Sequence, residues 1–64
     1  MAFTLNIKTS NDAFGEDDYA RASELGRILR ELADGFSEDG MSIESGRLLD
    51  YNGNVVGEYS HTVG

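Results

Sequence analysis

Apolar and polar residues alternate at the start of the chain, where Phe3, Leu5 and Ile7 are separated by Thr4, Asn6 and Lys8. Successive side chains of a strand point to opposite sides, so a period of two predicts a strand buried on one face. Residues 9–15 break the alternation with Ser10, Asn11, Asp12 and Gly15, which favour turns, and predict a loop. The period then changes. Across residues 16–34, Ala22, Leu25, Ile28, Leu29, Leu32 and Ala33 recur at spacings of three and four, and Phe36 extends the stripe. This predicts an amphipathic helix. Gly15 is its expected N-cap, Phe14 and Tyr19 its expected hydrophobic staple, and Glu16, Asp17 and Asp18 face the positive end of the helix dipole. Gly35 is the expected left-handed stop, with Phe36 folding back onto the last turn. Arg27 with Glu31 and Arg30 with Asp34 stand four apart and are expected to pair. Gly26 costs about 1 kcal/mol relative to alanine inside a helix. Its place at the edge of the stripe predicts a close approach of helix and sheet.

After the polar residues 37–40, Met41 and Ile43 alternate with Ser42 and Glu44 and lead through Gly46 into residues 47–51. The pattern fits one strand with a bulge at Gly46 or two short strands. Asn52-Gly53 predicts a type I′ hairpin turn. The last strand runs from Asn54 to about Thr62, with Val55, Val56 and Tyr59 expected opposite Leu48, Leu49 and Tyr51. The order strand, helix, strand, strand gives only antiparallel neighbours if the third strand lies in the middle. The expected fold is α+β, one domain over residues 1–64: a three-stranded antiparallel sheet of order 1-3-2, one helix across one face and the other face open.

Composition sharpens this picture. A chain of 64 residues buries only about 60% of its unfolded surface, and without cysteine it has no disulfide to compensate. An apolar content of 39% with clear periodicity is nevertheless more than a disordered acidic tail carries. Residues 1–8 alternate and form no basic stretch followed by an apolar run, so no secretory signal is expected. No apolar stretch approaches the roughly 20 residues of a membrane span, and a cytoplasmic location is expected.

The formal net charge is −7, and it is unevenly placed. Asp12, Glu16, Asp17 and Asp18 precede the helix, and Glu38, Asp39 and Glu44 follow it; elsewhere acids and bases balance. Direct nucleic-acid binding needs lysine and arginine to displace counterions from phosphates, and five basic residues on this chain are too few. Net charge acts on partners rather than on fold, so two acidic clusters point to a basic partner. Across a helix of 19 residues they would stand roughly 28 Å apart at 1.5 Å per residue. That is about eight base pairs at 3.4 Å each, the scale of a phosphate track.

Other chemistry is poorly supported. Residues 50–54, Asp-Tyr-Asn-Gly-Asn, open like a calcium loop, but its sixth position is Val55 and its twelfth His61 where glycine and glutamate belong. A hairpin turn explains the same residues, so no metal site is expected. His61 lies near a terminus expected to fray and has no partner to orient it as a base. One helix on three strands leaves little concave volume. No catalytic residue and no cofactor is expected.

The opening Met1-Ala2-Phe3-Thr4-Leu5 and the segment Gly46-Arg47-Leu48-Leu49-Asp50-Tyr51-Asn52-Gly53-Asn54-Val55-Val56-Gly57, in a short, acidic, cysteine-free chain, resemble small proteins encoded by phages and prophages. Among these the chain is similar to anti-CRISPR proteins that inhibit type I systems, type I-C inhibitors included. The resemblance implies inhibition of a host nucleic-acid-binding complex, for some members by DNA mimicry, in the bacterial cytoplasm. It transfers no individual residue. The expected function is thus a non-enzymatic, monomeric inhibitor whose acidic clusters occupy the basic DNA-binding surface of a CRISPR surveillance complex. Phe14, Tyr19 or Phe36 would add short-range specificity. The rival is a self-associating assembly module that uses the open sheet face or the unpaired outer edges. Molecular mass across a dilution series separates the two.

Overall fold

A computed structural model describes residues 1–40 and 42–63. The chain forms β1 (Ala2–Ile7), a 3-10 turn (Asp12–Phe14), α1 (Asp18–Ser37), β2 (Ser45–Leu49) and β3 (Val55–Thr62). The three strands make one antiparallel sheet of order β1-β3-β2, as the alternation predicts. Met41, expected in the second strand, lies outside the described residues, and Ile43 precedes β2 as an exposed residue.

The register explains which face is buried. Leu5 pairs with Tyr59 and Tyr59 with Gly46, while Ile7 pairs with Gly57 and Gly57 with Leu48. Directly opposite residues share a face, so these rows lie beneath the helix. Two glycines make the rows possible. A Cβ on Gly46 would run into the ring of Tyr59, and one on Gly57 would run into the backbone carbonyl of Asn6. The opposite face carries Thr4, Asn6, Arg47, Glu58 and Ser60, with Leu49 and Val55 paired and exposed on it beyond the register shift. The register shifts between Leu48 and Leu49, opposite Val55 to Gly57, rather than at Gly46. This irregularity lets both Val56 and Tyr59 reach the core.

The core is Ala13, Phe14, Ile28, Leu32, Leu48, Val56 and Tyr59, with Ile7 and Phe36 packed against it. Phe14 is fully buried. It is therefore a core residue held by the 3-10 turn, and the expected staple with Tyr19, which is 86% exposed, does not form. The helix itself starts two residues later than expected: Asp17, not Gly15, is the N-cap, accepting from the Ala20 N–H at 2.7 Å. A carboxylate satisfies a free helix amide, which glycine cannot do. The stop also moves. Gly35 is helical and buried, and α1 continues to Ser37 because Phe36 gains edge-on packing with Phe3 and Tyr59, at ring separations of 6.1 and 5.3 Å. Left-handed φ appears instead at Gly40. The expected approach at Gly26 is absent, since a Cβ there would meet nothing within 4 Å.

The β2–β3 connection is a hairpin but not a type I′ turn. Only Gly53 has positive φ, at 86°, and its N–H donates to the Asp50 carbonyl at 3.0 Å. Asp50 N–H closes the loop onto the Asn54 carbonyl at 2.9 Å. A three-residue loop that ends in one left-handed glycine matches this pattern.

Candidate partner-binding site

The acidic residues divide into two groups by burial. Glu24 and Asp50 are 7% and 4% exposed, and both are engaged on every side. Glu24 takes a forked contact from Arg27, Nε to Oε1 at 2.6 Å and an outer guanidinium nitrogen to Oε2 at 3.0 Å, and its Oε2 also accepts the Tyr51 N–H at 2.9 Å. Arg27 holds the Glu24 carboxyl below its usual value; burial works against this, and the Tyr51 amide adds to it. Glu24 in return raises the Arg27 guanidinium. Arg27 also pairs with Glu31 at 2.9 Å, as the four-residue spacing predicts.

Asp50 ties the hairpin to the loop before the helix. Its carboxylate accepts from Asn52 N–H at 2.8 Å, Asn54 N–H at 2.9 Å, and the side-chain amides of Asn11 at 2.7 Å and Asn54 at 3.3 Å. Burial alone would push its carboxyl up, but the donors from Asn54, Asn11 and Asn52 together outweigh it and the group lies below its usual value. The Asp50 oxygens, first in the calcium-like pattern, are thus spent on the turn and on Asn11.

The seven acids singled out from the sequence are all exposed. Asp12 lies in the 3-10 turn, and Glu16, Asp17 and Asp18 lead into α1. Among the described residues Asp18 alone of the seven is ion-paired, to Arg21 at 2.7 Å. Glu38 and Asp39 leave the other end of α1, and Glu44 is brought there by the sheet: its carbonyl accepts His61 N–H at 2.9 Å, and His61 pairs with Phe3, whose ring touches Phe36. These contacts put the backbone of Glu44 on the end of the sheet toward which α1 runs out at Glu38 and Asp39. Asp12 and residues 16–18 gather at the other, since the 3-10 turn packs on α1 and Asn11 is bonded to Asp50. A helix of 20 residues puts about 30 Å between its ends, on a molecule 39 Å long.

One acid was missed. Asp34, assigned to Arg30 by spacing, has no ion pair among the described residues. It is exposed, one turn before Glu38 on the same side of α1, and extends the second cluster. His61 is another correction: it is half-buried within β3, not in a frayed tail.

Little concave volume was expected, yet an open groove of about 490 Å³ runs beside the first half of α1. Tyr19, Ser23, Arg27, Arg30 and Tyr51 line it, with Glu24 at its base locked to Arg27. Tyr51 joins Tyr19 as an exposed aromatic near the first acidic cluster. Of the aromatics expected to give specificity, Tyr19 is free to do so, Phe36 is half-buried and Phe14 is inaccessible. No helix among the described residues is long and apolar enough to cross a membrane.

Comparisons with protein-family models, curated proteins and solved structures find no match.

Proposed function

We propose that this protein is a non-enzymatic inhibitor that occupies the basic DNA-binding surface of a host complex by mimicking DNA, with a type I CRISPR surveillance complex in the bacterial cytoplasm as its target. The observation that carries the reading is the grouping of exposed carboxylates with no ion pair among the described residues, Asp12, Glu16 and Asp17 toward one end of α1 and Asp34, Glu38, Asp39 and Glu44 toward the other. Stability gives no reason for the second group. Carboxylates just beyond a helix C-terminus oppose the dipole, at about 0.3–1 kcal/mol each when close. A basic groove that holds phosphates at intervals of a few ångströms would take both groups, and long-range attraction would speed encounter. Tyr19 and Tyr51 beside the first cluster supply aromatic contacts of the kind that dominate interface energies. The surveillance complex is carried by the sequence resemblance. The test is displacement: labelled duplex DNA bound to the isolated complex should be released as this protein is added. DNA still bound at saturating protein would refute the proposal.

A further inference from the structure

The helix is wider in its apolar arc than the sheet beneath it. Glu24 and Arg27 lean toward the end of β2, where they bond Tyr51 and Leu49. On the opposite flank Phe36 sits against Phe3 of β1, and Leu29, seven residues earlier and so on the same side, is 39% exposed. Below them Phe3 and Leu5 are 44% and 40% exposed. These residues belong to the apolar patterns that predict burial, and they stay half open because β1 is the last strand on that side.

The same edge is unpaired in its backbone. Lys8 N–H bonds the Val56 carbonyl at 2.8 Å. Alternate residues of an antiparallel strand turn both polar groups to one neighbour, so the even-numbered residues of β1 face β3. The N–H and C=O groups of Phe3, Leu5 and Ile7 point outward. Edge strands are ordinarily blunted by charge, proline or bulges. The β2 edge has Arg47 and lies beside the register shift, whereas residues 1–7 contain no ionisable side chain.

We propose that β1 pairs antiparallel with β1 of a second copy of this chain, joining two sheets into one of six strands. Any two-fold register that matches odd-numbered residues with odd keeps Phe3, Leu5 and Ile7 of both copies in one row under the helices and covers Leu29. A second copy is favoured over a foreign basic strand because this edge offers no carboxylate to such a partner. Residues 1–7 bring no side-chain charge of their own to such a contact. The contact revises the expected monomer to a dimer; because it uses none of the acidic clusters, a dimer still presents them to a partner, and mass alone no longer separates the inhibitor from an assembly module.

The experiment combines mass by light scattering across a dilution series with amide exchange. Wild type should reach twice 7.0 kDa, with concentration-dependent protection of the Phe3, Leu5 and Ile7 amides. Leu5→Lys should return the mass to 7.0 kDa, while Arg47→Ala on the other edge should leave the doubled mass unchanged. If Leu5→Lys does not fold, protection of the three wild-type amides decides alone. A wild-type mass of 7.0 kDa with those amides freely exchanging overturns the proposal. So does a doubled mass that Leu5→Lys preserves, or protection that appears only when the target complex is added.

Discussion

Glu24 and Asp50 carry the same functional group as Glu38 and Asp39, and the fold uses the two pairs in opposite ways. The first pair is surrounded by donors and pulled out of water, so its charge is spent inside the molecule. The second is exposed and has no ion pair among the described residues. What separates them is position relative to the sheet: α1 lays Glu24 over the β2–β3 turn, whereas its end carries Glu38 past the last core contact at Phe36. Composition alone counts all four equally. Of these four, only Glu24 and Asp50 serve stability, which leaves Glu38 and Asp39 for a partner.

Neutralising the terminal groups should give the largest effect. Converting Asp12, Glu16, Asp17, Glu38, Asp39 and Glu44 to amides should weaken target binding by about 2–6 kcal/mol, taking roughly 0.3–1 kcal/mol for each exposed charge contact. The melting temperature should barely fall. A variant that loses its fold and its binding together would erase the distinction between the two groups.

The internal pair should show the reverse. Glu24→Ala leaves the Tyr51 amide without this acceptor and Arg27 with only Glu31 and the Leu49 carbonyl. Hydrogen bonds to charged groups are worth roughly 1.5–3 kcal/mol, but Arg27 is about one-third exposed and water recovers part of this, so we expect a loss of about 1–2 kcal/mol. Target affinity of the folded fraction should be unchanged. Thermal melts and binding titrations on the same samples check both statements.

Much of this was legible beforehand, and the failures share a cause. Phe3-Leu5-Ile7 and the helix periodicity placed β1, α1 and the sheet order, because period and connectivity are local properties. Glu24 counts only among the balanced charges of the helix, although it stands four and eight residues before Ile28 and Leu32, on the buried stripe itself. That spacing was the available signal. Gly35 and Gly15 were read as helix ends from residue type, but tertiary contacts of Phe36 and the Asp17 carboxylate decided the boundaries. The acidic clusters were visible as composition. Their separation by the helix length was expected from the sequence; the route that brings Glu44 to the end with Glu38 and Asp39 was not, because it depends on the register of Phe3 with His61. Nor could spacing reveal that Asp34 stands apart from Arg30.

Asp17 spans both groups and sharpens the comparison at a single position. As the N-cap it supports the helix, so Asp17→Ala should cost about 1 kcal/mol, whereas Asp17→Asn should keep the cap within a few tenths. Both should weaken binding alike if its charge serves the partner. A smaller effect comes from acid. The carboxyls of Glu24 and Asp50 are held below their ordinary values of 4.5 and 3.8. The unfolded chain therefore takes up protons first, and their stabilisation, complete above those values, is lost as pH falls through and below them. Relief of repulsion among surface acids runs the other way, so the readout is the difference between wild type and Glu24→Gln/Asp50→Asn. That difference should shrink toward zero below the ordinary values; a constant difference would show that the pair's charge contributes nothing.

The central claim is that the terminal carboxylates stand where phosphates would. Its most direct test is the dissociation constant for the isolated surveillance complex, measured with and without competing duplex DNA and at rising salt. The account predicts an apparent constant that grows in proportion to DNA concentration. It also predicts steep weakening with salt, as the screening length falls from about 10 Å at 0.1 M to about 3 Å at 1 M. Binding that persists unchanged in saturating DNA and in high salt would contradict it.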